Sequence, residues 1–141
     1  MLDNLTLDDI RENFELFDDW EDRYRYVIEL GGKLPPFPED ARTDENKLRG
    51  CVSQVWILPR LSDDVPPRLY FDGDSDAHIV KGLVALMMLI YSGKTPDEVL
   101  EIDARAILGE LGLAEHLSPS RTNGLFSMVN RIREMAAAAQ N

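Results

Sequence analysis

Residues 52–59 read Val-Ser-Gln-Val-Trp-Ile-Leu-Pro. β-Branched and aromatic side chains dominate this stretch and no helical period runs through it. It therefore predicts a strand over 52–58 that ends at Pro59. Residues 62–67 (Ser-Asp-Asp-Val-Pro-Pro) supply a loop, and 68–71 a second strand, so the pair reads as an antiparallel hairpin. A short extended piece at Lys47 and Leu48 adds a third strand. Outside this hairpin the apolar period is helical. Thr6 caps a first helix with Leu7, Ile10, Phe14 and Phe17 on one face; Asp18 or Asp19 caps a second with Trp20, Tyr24, Val27 and Ile28, stopped by Gly31-Gly32. Pro35, Pro36 and Pro38 deny regular helix to the segment 33–50.

Beyond the hairpin, Asp72-Gly73-Asp74-Ser75-Asp76 reads as a tight acidic turn. Asp74, Ser75 or Asp76 then caps a helix running to Tyr91 and stopped by Gly93. That helix is apolar nearly all round, which places it in the middle of the fold. Thr95-Pro96-Asp97-Glu98 is a helix start with Thr at the cap, Pro at the first position and Glu at the third. Asp103 caps a shorter helix ending at Gly112. Ser118-Pro119 opens a last one with Leu125, Met128, Val129, Ile132 and Met135 on its apolar face. Helices, a small hairpin, then helices again define an α+β fold, a small antiparallel sheet packed against several helices, with residues 1–141 as one domain.

The chain has 141 residues, 15 Lys+Arg against 26 Asp+Glu, a net charge of −11, two histidines and one cysteine. A single cysteine closes no internal disulfide and builds neither a multi-thiolate zinc site nor a cysteine-held iron–sulfur cluster. The acidity argues against nucleic acid and anionic membrane as partners. The longest apolar run, 82–91, is far short of the roughly 20 residues that span a bilayer. The start, Met1-Leu2-Asp3-Asn4, lacks a basic-then-apolar leader, so a cytoplasmic location is expected.

Cys51 is the first candidate for chemistry. A free cysteine is often a small buried hydrophobe. This one stands outside any periodic apolar face, between an irregular segment and a strand. Gly50 before it tolerates unusual backbone angles, and Ser53 and Gln54 after it are polar, a setting in which a thiolate can be stabilised. From the residues alone the two readings balance. Asp72, Asp74 and Asp76 suggest calcium, but the twelfth position of an EF-hand loop counted from Asp72 falls on Leu83, and turn plus helix cap explains them better. His78 and His116 carry no motif spacing. Arg121 stands in the first turn of the last helix, against the helix dipole; a surface ion pair is its ordinary explanation and function the other. No phosphate loop, nucleophile elbow or zinc-protease motif occurs, and no cofactor of the chain's own is implied.

Three separated segments together resemble the SufE family. Gly50-Cys51-Val52-Ser53-Gln54-Val55-Trp56 matches its Gly-Cys-x-Ser-Gln-Val-Trp signature. Gly73-Asp74-Ser75-Asp76-Ala77 with Ile79-Val80-Lys81-Gly82-Leu83 resembles a second. Leu117-Ser118-Pro119-Ser120-Arg121 with Gly124-Leu125 resembles a third, with Ser118 in place of the usual Thr. Trp20-Glu21, Tyr24, Glu29-Leu30-Gly31 and Leu34-Pro35 also fit, and the likeness runs in register from about residue 10 to residue 135. The resemblance implies an IscU-like α+β fold. It also implies a sulfur-acceptor role: a pyridoxal-phosphate cysteine desulfurase of SufS or CsdA type gives up its persulfide sulfur, Cys51 takes it, and a SufBCD-type scaffold receives it for iron–sulfur cluster assembly. Gly50, Ser53, Gln54, Asp74 and Arg121 are then expected to support the loop or dock the partner, and a homodimer is one state open to the chain. The alternative is an independent thiol hydrolase, which requires an imidazole beside Cys51.

Overall fold

The computed structural model describes residues 4–50 and 53–140. In chain order these form α1 (Leu7–Leu16), α2 (Trp20–Gly31), a 3-10 turn (Glu39–Ala41), β1 (Val55–Leu61), β2 (Leu69–Ser75), α3 (His78–Tyr91), α4 (Pro96–Glu101), α5 (Ala104–Glu110), α6 (Leu113–His116) and α7 (Pro119–Ala139). β1 and β2 pair antiparallel, with Val55 opposite Ser75 and Leu61 opposite Leu69. The α+β fold is as expected.

The helix starts follow their caps. Thr6, Asp19, Thr95, Asp103 and Ser118 each accept a hydrogen bond from the backbone N–H three residues on, and Thr6 and Thr95 complete reciprocal capping boxes. α3 is the axis of the core: Val80, residues 82–88, Ile90 and Tyr91 are buried. It packs on α2, β2 and α7. The α2–α3 crossing depends on two glycines. A Cβ at Gly82 would stand 2.1 Å from the Val27 carbonyl oxygen, and one at Gly31 would stand 2.8 Å from the Gly82 nitrogen. The backbones thus touch, and no larger residue fits. Val27 is buried as expected, but Ile28, expected on the same face of α2, is 40% exposed, and Leu30 and Gly31 face inward in its place.

The hairpin departs from expectation at both strands. β1 starts at Val55 rather than Val52, which lies outside the described residues, and it continues through Pro59 to Leu61. Pro59 is tolerated because of its side of the strand. The Ile57 N–H points outward, to the Asn46 carbonyl at 3.0 Å, so the position two residues on also faces outward and lacks no bond to β2. The third strand is reduced to one bridge, Lys47 to Trp56.

Residues 72–75 are not a turn but the end of β2. Their aspartates are neutralised from neighbouring elements, Asp72 by Arg60 at 2.9 Å and Asp74 by Arg42 at 2.5 Å. Gly73 is a packing glycine, since a Cβ there would lie 2.5 Å from Val84 Cγ1 of α3. None of Asp74, Ser75 or Asp76 caps α3 as a helix N-cap; that position is Ala77, with no side-chain bond. α6 is a further addition, a single turn after Gly112, whose φ of +72° needs glycine. Among the described residues no helix is long and apolar enough to cross a membrane.

Candidate functional site

The segment before Gly50 runs along the outer edge of β1. The Leu48 N–H donates to the Val55 carbonyl at 2.7 Å, so the chain leaves the sheet at Leu48 and rejoins it at Val55. Residues 49–54 span that gap. Gly50 adopts φ +87°, which an L side chain rarely takes, and a Cβ there would also approach Ser127 Oγ of α7 at 3.0 Å. Cys51, the expected sulfur acceptor, lies with Val52 outside the described residues. Gln54 anchors the return. Its N–H donates to Asp76 Oδ1 at 3.0 Å, and its carbonyl accepts from Ser75 Oγ at 2.7 Å and from the Asp76 N–H at 3.3 Å. The Asp76 carboxylate expected to cap a helix serves this anchor instead.

Two cavities flank the segment, both floored by α7. One, of about 410 Å³, is lined by charged residues: Asp44, Glu45, Lys47 and Arg49 on one side, and Arg131 and Glu134 on the other. The second, of about 400 Å³, has an apolar floor of Val80, Leu83 and Met128 and a polar rim of Ser53, Ser118, Ser120 and Arg121. Arg121 is exposed; its backbone N–H closes the Ser118 cap, and its guanidinium forms no ion pair among the described residues. Ser53 and Arg121 are thereby brought to one cavity. Asp74 is not at either one.

Asp74 instead secures the approach. Its side chain is 10% exposed, with Arg42 Nη2 at 2.5 Å from Oδ2 and Lys81 Nζ at 3.5 Å from Oδ1. Burial pushes its pKa up, but the Arg42 hydrogen bond, the Ser75 N–H and the charges of Lys81 and Arg42 outweigh burial and hold it below the ordinary carboxylate value. Arg42 escaped the sequence reading. It is an arginine in a proline-rich acidic stretch, and nothing local marks its partners, which lie across the fold. Ser127, the neighbour of Gly50, likewise stands on a helix without any local signal.

The histidines are placed apart from both cavities, neither of which they line. His116 stacks on Trp20 at 3.9 Å between ring centroids, its Nδ1 lies 2.9 Å from the Gly112 carbonyl, and its own carbonyl accepts from the Tyr24 hydroxyl. His78 is exposed at the start of α3. The Asp72-Asp74-Asp76 stretch is dispersed over three different partners, and among the described residues no group of His, Cys, Asp and Glu is arranged to hold a metal ion.

Comparison with known proteins gives a consistent result. The family model "SufE: Fe-S metabolism associated domain" matches residues 8–136. An uncharacterised SufE-like protein of Rhizobium meliloti (strain 1021) is 54% identical over 132 residues, covering 93% of this chain and 94% of the relative. A second, from Rhizobium etli, is 55% identical over 132 residues, covering 93% and 89%. Among solved structures, a hypothetical protein from Thermus thermophilus superposes with a TM-score of 0.74 at 22% identity, over 94% of each chain, which is a likeness of fold.

Proposed function

The chain belongs to the SufE family of iron–sulfur metabolism, and from that premise we propose that it is a sulfur acceptor working on a cysteine desulfurase. The observation that carries the reading is the chain's one cysteine, Cys51, standing in the family signature within the matched residues.

The Cys51 thiolate attacks the outer sulfur of the desulfurase persulfide. The bond between the two persulfide sulfurs breaks, the desulfurase cysteine leaves as thiolate, and Cys51 becomes the persulfide. One S–S bond is exchanged for another, so no oxidant or reductant is consumed. The step needs a nucleophile and an approach, but no general base. A lone thiol also protects the product, since a neighbouring cysteine would attack the new persulfide, release sulfide and close a disulfide. The desulfurase, of SufS or CsdA type, supplies pyridoxal phosphate, and a SufBCD-type scaffold takes the sulfur onward. Gly50, Ser53 and Gln54 shape the acceptor segment, Asp74 steadies the chain leading to it, and Arg121 offers the partner an exposed cation. A thiol hydrolase would require an imidazole at Cys51, and no observation favours it.

The test is intact mass measurement after anaerobic incubation with a desulfurase and L-cysteine. Wild type gains about 32 Da, one sulfur atom, as a cysteine persulfide does. Cys51→Ser gains nothing. A wild-type chain that stays unmodified while the desulfurase turns over overturns the proposal.

A further inference from the structure

α6 has four residues, Leu113–His116, and a single helical turn does not hold itself in place. The carbonyls that end a helix have no partner inside it, and here neighbouring elements supply the donors. The Tyr24 hydroxyl of α2 donates to the His116 carbonyl, and Thr122 Oγ1 of α7 donates to the Ala114 carbonyl at 3.3 Å. α6 is thereby bolted between two longer helices, near the start of each.

The α2 side of this bolt is aromatic. The His116 ring stacks on Trp20, 13° from parallel, and its Nδ1 donates to the Gly112 carbonyl at 2.9 Å, since a carbonyl only accepts. Gly112 lies so near the same indole that a Cβ there would stand 3.0 Å from Trp20 Cζ2. Trp20 is itself held from α1. Phe14 meets it edge-on, and the Arg23 guanidinium lies 5.1 Å from its ring centroid while donating to the Phe14 and Phe17 carbonyls at 3.0 Å each. Two residues beyond His116 the chain reaches Ser118, whose hydroxyl accepts from the Arg121 N–H at 3.3 Å and whose carbonyl accepts from the Thr122 N–H at 2.9 Å. What fixes His116 therefore fixes the entry into α7, and with it the rim of Ser118, Ser120 and Arg121 on the second cavity.

We propose that Tyr24 is a positioning residue for partner docking: by tying the His116 carbonyl to α2 it sets where the exposed Arg121 stands at that rim. The inference rests on the reading of Arg121 as a cation offered to the desulfurase. It assigns Tyr24 no contact with the partner.

The experiment is a double-mutant cycle on the affinity for a SufS-type desulfurase, measured by calorimetric titration of wild type, Tyr24→Phe, Arg121→Gln and the two together. Tyr24→Phe removes only the hydroxyl and keeps the ring against Trp20, 5.7 Å between centroids. Arg121→Gln weakens binding about tenfold, as loss of a well-placed interface charge does. Tyr24→Phe weakens it about threefold, the size of one lost hydrogen bond. In the Arg121→Gln background Tyr24→Phe has no further effect. Hydrogen exchange supplies a readout without the partner: in Tyr24→Phe the Arg121 and Thr122 amides quicken about threefold relative to those of buried α3. Wild-type affinity in Tyr24→Phe, effects that multiply in the double variant, or exchange that rises equally throughout the chain overturns the proposal. The two readings fail separately. Wild-type affinity in Arg121→Gln strikes the docking reading of Arg121 and takes this inference with it, whereas a full Arg121 effect beside an independent Tyr24 effect strikes this inference alone.

Discussion

Asp74 has its pKa lowered despite the upward push of burial, and that makes stability depend on pH. Its folded pKa lies below the ordinary carboxylate range, since Arg42, the Ser75 N–H and Lys81 together outweigh burial. The unfolded chain therefore takes up this proton at higher pH than the folded one. The stabilisation is complete above about pH 5 and is lost as the pH falls through about 4 and below. Glu98, lowered by the backbone and hydroxyl of Thr95, acts with the same sign. Melting temperatures recorded from pH 6 to pH 3 should fall for wild type and fall less steeply for Asp74→Asn, which retains only the Glu98 share. Equal slopes would show that the pair contributes nothing. At this scale the family membership was legible around Cys51 because the residues of that signature are neighbours in the chain. The role of Asp74 was not, because an Asp-Gly-Asp-Ser-Asp string looks like a turn until Arg42 and Arg60 arrive from elsewhere to neutralise a strand.

Elements meet most closely at the α2–α3 crossing, where the Gly82 Cα faces the Val27 carbonyl. A methyl there meets backbone, which cannot rotate away. Gly82→Ala should cost at least about 2 kcal/mol, at the upper side of ordinary overpacking, measurable by urea unfolding. Thr95→Ala, which removes the hydroxyl that accepts from the Glu98 N–H and leaves the backbone half of the capping box, should cost about 1 kcal/mol. The five side-chain caps were readable because a cap is a bond between near neighbours in sequence. Strand limits were not, because whether Pro59 ends a strand depends on which side its nitrogen faces. α6 was too short to show a period.

The molecule as a whole is built around one hydrophobic cluster, with α3 through its middle and fully buried Leu83, Leu86 and Met87 along it. Leu86→Ala should destabilise by about 2–5 kcal/mol without altering the mass gain on Cys51. The charge of −11 acts as a solubility device and has a measurable corollary: light scattering should peak near pH 4.5, where the net charge vanishes. Helical order, hairpin and central helix were all visible in the pattern of letters. The Arg42–Asp74 pair was not, because it is a meeting in space of residues that no period links. One hydrogen bond carries a last consequence. Leu48 and Val55 close the chain on itself, so residues 49–54 leave the sheet and return to it at one point, with Gln54 tied to Ser75 and Asp76 on the return. Lengthening that span by a residue costs the scaffold no more than a few tenths of a kcal/mol in closure entropy. The segment is in that sense a cassette: its length can change at little cost to the rest of the chain, provided the glycine at its entry and the Gln54 anchor at its exit are kept.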